Sequence, residues 1–343
     1  MDQPSRGHGP SDHHHDGPTT MRAIVQDRYG SLEVLTLAAV DRPEPGEHDV
    51  LLRVRAAGLD RGTWHMMTGK PYLMPVIGFG FRRPKNRVPG RDVAGSVEAV
   101  GPAVTRFAVG DEVYGVARGS YAEYAVAHED KLARKPANVS FEQAAVVPVS
   151  GLIAQRGLVD VGHLKAGQKV LITGASGGVG SYAVQLAKAI GAEVTAVASA
   201  SKADLVRSLG ADHVIEYARE DFADGSSRYD LILDIAGNPT LRRLRRALTP
   251  HGTAVILGGE QGGRITGGFG RTLRAPLMSR FVSQRLTMVT ADENGRDLER
   301  LTALIEAGQV TPHVDRSYPL QEVPEAMARL IAGDARGKVA ISV

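Results

Sequence analysis

One stretch constrains this chain more than any other. The apolar strand Lys169-Val170-Leu171-Ile172-Thr173 empties into Gly174-Ala175-Ser176-Gly177-Gly178-Val179-Gly180, and Ser181 to Ile190 then reads as a helix. Val179, Ala183, Leu186, Ala187 and Ile190 share one stripe of that helix, and Gly191 follows as its stop. Small residues from Gly174 to Gly180 let backbone N–H groups approach a pyrophosphate, and the helix N-terminus adds positive potential beneath it. Glycines alone are weak evidence, since a plain buried βαβ turn also needs them. With a strand before, a helix after and a second strand at Glu193 to Ser199, the pattern points to a dinucleotide.

A chain of 343 residues can build two domains with separate cores. No run approaches the ~18 apolar residues that span a bilayer. Met1 to Thr20 is polar and rich in Gly, Pro, His and Asp. It is expected to be a solvated, disordered tail rather than a signal or transit peptide, with His13, His14 and His15 at most an adventitious metal binder. The chain contains no cysteine, which removes disulfides, thiolate catalysis and cysteine-ligated zinc from consideration. The cytoplasm is the default compartment. Arg242, Arg243, Arg245 and Arg246 form the densest basic patch, but Leu241, Leu244 and Leu248 place them on the solvent face of an amphipathic helix. No aromatic residues interleave them, so nucleic acid is not an expected partner, and neither is a membrane.

From Met21 to about Val147 the texture is short strands and turns. Ala23 to Gln26, Val50 to Ala57, Gly95 to Val100, Glu112 to Val116 and Tyr121 to Ala127 read as strands, with a long Gly/Pro-rich loop from Gly69 to Pro89. From Pro148 strands alternate with helices. Lys169 to Thr173, Glu193 to Ser199, His213 to Tyr217, Asp230 to Ile235, Thr253 to Gly258 and Leu286 to Ala291 are the strands, near-continuous in Val, Ile and Leu as a covered parallel sheet requires. After a helix at Asp297 to Ala307 the first texture returns and ends in a strand at Lys338 to Val343. The expected organisation is a tail over 1–20, one domain from 21–147 and 309–343, and a doubly wound α/β domain over 148–308.

NAD-binding sheets place Asp or Glu at the end of the second strand to hold the ribose hydroxyls. Here that strand ends Val197-Ala198-Ser199-Ala200-Ser201-Lys202, without a carboxylate. Ser199, Ser201 and Lys202 can donate to a 2′-phosphate instead, each charge-assisted bond being worth ~1.5–3 kcal/mol. Tyr217, at the end of the third strand, can add its hydroxyl. The expected cofactor is NADPH. The bland alternative makes Ser201 the N-cap of a helix from Lys202 to Leu209 and leaves Lys202 solvated. Sheet topology adds Gly237 after the fourth strand, and Leu257, Gly258 and Gly259 after the fifth, as further cofactor contacts; Gly237 and Gly258 also suit ordinary turns.

Gly90-Arg91-Asp92-Val93-Ala94-Gly95-Ser96-Val97, Val100-Gly101, Val104, Phe107 and Gly110-Asp111-Glu112-Val113 resemble the enoyl-reductase signature of the medium-chain dehydrogenase/reductase superfamily. With Ala175-Ser176-Gly177-Gly178-Val179-Gly180 and Leu209-Gly210-Ala211-Asp212 they resemble its zinc-independent quinone oxidoreductase branch, over essentially Met21 to Val343. The resemblance implies an α/β chain with a GroES-like barrel joined to a Rossmann domain. It also implies NADPH-dependent reduction of quinones or of the C=C bond of α,β-unsaturated carbonyls, commonly by a homodimer. Where zinc-dependent relatives carry a catalytic Cys this chain has Asp60, where they carry His-Glu it has Arg91-Asp92, and near the third ligand it has Val149-Ser150. No metal is therefore expected. The chain also departs from its own branch, with Asp60-Arg61-Gly62-Thr63 where relatives commonly read Asn-Pro-x-Asp, and Ile153 where a Thr often stands.

Without zinc, the negative charge that develops on an acceptor oxygen needs another donor. Asp60, His65 and Tyr72 are the candidate catalytic residues; Asp60 would accept from the carboxamide or ribose, and Trp64 would act as an apolar wall. His65 is read in a loop after Trp64, with simple solvent exposure as the alternative, and for Tyr72 buried packing is as good a reading. Arg91 is a further candidate for contact with the substrate, though it is read mainly as structural, pairing with a carboxylate at the barrel base. Two other functions stay open: zinc-independent carbonyl–alcohol interconversion, and a non-catalytic NADPH-binding structural, sensor or RNA-interacting role.

Overall fold

Where the sequence changes texture, the backbone changes sheet. The structure is a computed structural model and describes residues 19–70, 83–258, 269–289 and 292–343. It begins with an antiparallel pair, β1 (Thr20–Val25) and β2 (Thr36–Asp41). Then come β3 (Asp49–Leu59), α1 (Arg61–Thr68), β4 (Asp92–Val100), β5 (Glu112–Val116), β6 (Tyr124–His128) and β7 (Leu132–Arg134). Helices α2 (Phe141–Ala145) and α3 (Pro148–Gln155) lead into β8 (Lys169–Thr173), α4 (Gly178–Ile190), β9 (Glu193–Ala198), α5 (Ala203–Ser208) and β10 (His213–Glu216). The alternation continues with β11 (Tyr229–Asp234), α6 (Leu241–Ala247), β12 (Leu248–Ile256), α7 (Phe269–Ser279), β13 (Arg285–Met288) and α8 (Gly295–Glu306). Finally β14 (Val314–Pro319), α9 (Val323–Ala332) and β15 (Lys338–Ser342) carry the chain back to the first sheet.

The six-stranded sheet runs β10-β9-β8-β11-β12-β13, every pair parallel. Its order reverses between β8 and β11, which is the doubly wound arrangement of a Rossmann sheet and fixes a crevice at those strands' C-terminal ends. Val170, Leu171, Ile172, Leu233 and Val255 are fully buried, so helices cover both faces; each such side chain contributes ~1.5–3 kcal/mol of apolar burial. The seven-stranded sheet runs β14-β15-β3-β4-β5-β7, with β6 on β3. Two tyrosines join the layers: Tyr114 of β5 donates to the Leu298 carbonyl of α8 at 2.8 Å, and Tyr182 of α4 to the Val146 carbonyl at 3.1 Å.

Several expectations need correction. Trp64 and His65 lie in helix α1, not in a loop; Asp60 caps it by accepting from the Thr63 N–H at 2.8 Å, and Gly69 closes it at φ 63°. Gly62 and Thr63 are poor helix formers, so the cap and not propensity makes this turn. Ser201 is no N-cap: the serine sits in a 3-10 turn, and α5 begins after it at Ala203 without a side-chain cap. The short strands β2, β7 and β14 went unread, since pairing decides segments of this length more than propensity does. The arginine helix is as expected, with Leu241, Leu244 and Ala247 inward and Arg242, Arg243 and Arg246 in solvent.

Candidate functional site

The glycine turn stands at the C-terminal end of β8, where the crevice opens. Gly174 has φ 64°, and a Cβ there would stand 2.7 Å from the Ala236 Cβ. At Gly180 a Cβ would meet the Gly174 carbonyl oxygen at 2.2 Å, so helix and strand approach only without a side chain. Gly177 is the N-cap of α4 and brings no side chain to occupy the first-turn N–H groups. Those donors are left for a ligand carrying negative charge. Ala175 and Ser176 are buried within the turn, while Val179 packs partly against the core.

On one side of the turn is a cationic edge. Ser199 and Ser201 follow β9 with their hydroxyls 3.1 Å apart, and Tyr217 stands 65% exposed just after β10. Lys202 is not solvated: its ammonium donates to the Gly333 and Ala335 carbonyls, both at 2.7 Å. That uses two of three N–H groups and holds the third in place. Burial lowers the Lys202 pKa, with Arg336 and Arg329 pushing the same way against Asp315 and Asp334. The Gly337 N–H donates to the Ser176 carbonyl at 2.9 Å, so exposed Arg336 is brought between the turn and Lys202. Arg336 is missing from the sequence reading because it arrives from the far end of the chain.

Beyond the β11 and β12 ends the backbone turns sharply. Gly237 and Asn238 are both left-handed, at φ 93° and 47°, and the Leu257 N–H donates to the Asp234 carbonyl at 2.9 Å. Buried Asp234 accepts from the Thr173 hydroxyl at 3.1 Å and faces an Arg271 Nη1 at 2.6 Å. Arg271 also donates to the Pro239 and Gly258 carbonyls at 2.7 and 2.6 Å, tying three segments together. Burial pushes the Asp234 carboxyl up to about 6, opposed first by Arg271 and then by Thr173. Gly259 lies outside the described residues.

The opposite wall comes from the seven-stranded sheet. Asp60 is 9% exposed; one carboxylate oxygen caps α1, and the other has no partner among the described residues. Asp92 is fully buried, accepting from Lys338 at 3.2 Å and from the Val149 N–H at 2.9 Å, while Lys338 also donates to the Ser150 hydroxyl at 3.1 Å. Burial pushes Asp92 up to about 6, opposed first by the Lys338 ammonium. Arg91 does not pair at the barrel base, as the sequence suggested. Its guanidinium bonds Glu293, which follows β13 of the other sheet. His65 ends up with Nδ1 on the Lys70 carbonyl at 2.8 Å and its ring against Trp64. Tyr72 lies outside the described residues.

These groups do not fit a tetrahedral zinc site. Asp60 is engaged in a cap, Asp92 in an ion pair with lysine, and Arg91 brings positive charge between them. Among the described residues no cluster of three or more His, Asp or Glu side chains has metal-holding geometry. The turn and its cationic edge do fit a phosphorylated dinucleotide: free helix N-terminal donors, no acidic residue at the end of β9, and Ser199, Ser201 and Lys202 there, with Tyr217 just after the neighbouring strand and Arg336 acting on Lys202.

Two protein families match the chain: "Alcohol dehydrogenase GroES-like domain" over residues 46–137 and "Zinc-binding dehydrogenase" over residues 209–341. The NADPH-dependent alkenal/one oxidoreductase of Arabidopsis thaliana chloroplasts is 36% identical, covering 94% of this chain and 80% of its own. Human quinone oxidoreductase is 31% identical over 94% of this chain and 98% of its own. The quinone oxidoreductase structure from Coxiella burnetii superposes with TM-score 0.83 at 28% identity, covering 94% of this chain and 99% of that one. The chain belongs to the quinone oxidoreductase branch of the medium-chain dehydrogenase/reductase superfamily.

Proposed function

We propose that this protein is an NADPH-dependent oxidoreductase that reduces quinones or the C=C bond of α,β-unsaturated carbonyls by direct hydride transfer without a metal. The observation that carries this reading is the edge beyond β9, where Ser199, Ser201, Lys202, Tyr217 and Arg336 gather and the strand itself ends without a carboxylate to hold a free ribose 2′-hydroxyl. Its relatives among alkenal/one and quinone oxidoreductases support the acceptor class. NADPH, when bound, supplies the hydride. The chain's part is to bind, orient and exclude water. Backbone donors of the α4 N-terminus hold the pyrophosphate. The Gly237 and Gly258 turns leave room for the far ribose, and the Asp60–Arg91 wall closes the acceptor side. Metal-free operation is supported by the donor chemistry of Asp60, Arg91, Val149 and Ser150.

A homodimer is part of the proposal. Among the described residues β13 ends the six-stranded sheet with one edge unpaired, and Phe281, 87% exposed, stands just before it. No helix among the described residues is long and apolar enough to cross a membrane.

The test is NADPH and NADH oxidation with a panel of quinones, enals and simple aldehydes, before and after chelation. NADPH-selective turnover of enones or quinones that survives chelation is expected. Aldehyde reduction without enone reduction would favour the carbonyl–alcohol reading, and tight NADPH binding without turnover the non-catalytic one.

A further inference from the structure

Resting on that reading, we propose that Arg91 is the electrophile of the site: its guanidinium, held across the cleft by Glu293, donates a hydrogen bond to the carbonyl or quinone oxygen as charge develops there. Three observations converge on it. Arg91 immediately precedes β4 of one sheet, and Glu293 follows β13 at the C-terminal edge of the other. The guanidinium therefore spans the gap between the sheets, on the side where the crevice opens. The Arg91 side chain is 34% exposed and Glu293 12%, so the pair is shielded while the guanidinium stays reachable. Glu293 engages one Nη, and the Arg91 guanidinium makes no other hydrogen bond among the described residues, which leaves N–H donors for a ligand.

The surrounding charges sharpen the demand. Burial works to lower the Arg91 pKa, but the Glu293 and Asp60 carboxylates outweigh it and the net shift is upward, so the cation persists at any working pH. Asp60 and Glu293 also cancel much of its field at a distance. A nascent oxyanion gains only by direct contact with the guanidinium edge, which makes the interaction positional.

The step balances. A hydride carries its electron pair to the carbon β to the carbonyl; the C=C π pair becomes the double bond between the α carbon and the carbonyl carbon, and the C=O π pair moves onto the oxygen; Arg91 donates a hydrogen bond and keeps its proton. NADPH becomes NADP⁺, and a solvent proton on the α carbon completes the product. For a quinone the same oxygen takes a solvent proton, and the ring carbon that received the hydride then releases a proton to solvent as the second oxygen takes one up, which restores the aromatic ring and gives the hydroquinone.

The test pairs turnover with anion binding. 4-Nitrophenolate carries an anionic oxygen on a planar ring, and its absorbance reports binding to the NADP⁺-loaded protein. Arg91→Met should bind it at least tenfold more weakly and lose about 100-fold in kcat, with NADPH affinity within twofold. Arg91→Lys should recover part of both and guards against misfolding of the methionine variant. Glu293→Gln breaks the same ion pair but keeps the cation, and should lose far less. Unchanged nitrophenolate binding in both Arg91 variants would overturn the proposal, as would an equal loss in Glu293→Gln, which is what a purely structural bridge predicts. If the unaltered protein reduces no acceptor, the reductase reading falls, and nitrophenolate binding still decides the role of Arg91.

Discussion

The two ends of the crevice solve opposite electrostatic problems. At the end proposed for the adenosine, Ser199, Ser201, Lys202, Tyr217 and Arg336 stand near one corner of the sheet, and four of the five come from one local stretch, 199–217. At the acceptor end, Asp60, Arg91, Asp92, Glu293 and Lys338 are gathered from four distant segments, and Asp92 and Lys338 are almost completely buried. On the proposed reading, the first end meets an external charge with donors at or near the surface. The second has compensated its charges internally, so a change there is felt as stability as well as chemistry.

The sharpest way to break this contrast is Lys338→Met. It leaves Asp92 buried beside Asp60 without its cation, and a destabilisation of about 3–5 kcal/mol is expected in chemical denaturation. A loss below 1 kcal/mol would mean that the acceptor end is as tolerant as the exposed one.

At the open end, Lys202→Ala and Arg336→Ala should each weaken NADPH binding about 10- to 100-fold while changing NADH binding little. Fluorescence titration at two ionic strengths reads this directly, and the Arg336 effect should shrink with added salt. Equal losses for both coenzymes would show that these residues do not meet the 2′-phosphate.

Asp234 tests the buried side by pH. Its folded pKa of about 6 lies above its unfolded value, so the folded state takes up a proton between the two. The stability it contributes is therefore present at low pH and is lost as pH rises through 6. Relative to Asp234→Asn, the unaltered protein should gain by up to about 1.4 kcal/mol per pH unit on going from pH 6 towards 4. Parallel melting curves of the two proteins over that range would contradict it.

The smallest effect belongs to Tyr217→Phe. An exposed neutral hydroxyl contributes on the order of 1 kcal/mol or less, so the NADPH Kd should rise by less than about fivefold and the melting temperature should not move. A larger loss would make Tyr217 an anchor rather than a rim contact.

What could be read from residues alone follows the range of the interactions. The β8–α4 unit was legible because its signals are consecutive: an apolar strand, glycines that must lack a Cβ at Gly174 and Gly180, and a helical stripe. The acid-free end of β9 was legible for the same reason. The alternative reading of Ser201 as a helix cap fails because the serine occupies a 3-10 turn, which local preferences do not separate from a helix start. Helix α1 was hidden because a single Asp60 hydrogen bond, not periodicity, nucleates it.

The sequence by itself determined the nucleotide turn, the parallel sheet and the absence of an acid to hold a 2′-hydroxyl, since each depends on neighbours along the chain. Only the tertiary structure decided that Arg91 meets Glu293, that Lys338 neutralises Asp92, and that Arg336 stands beside Lys202. Those pairings join residues more than a hundred positions apart. Charge attraction acts on distance in space, and no periodicity or composition along the chain records it.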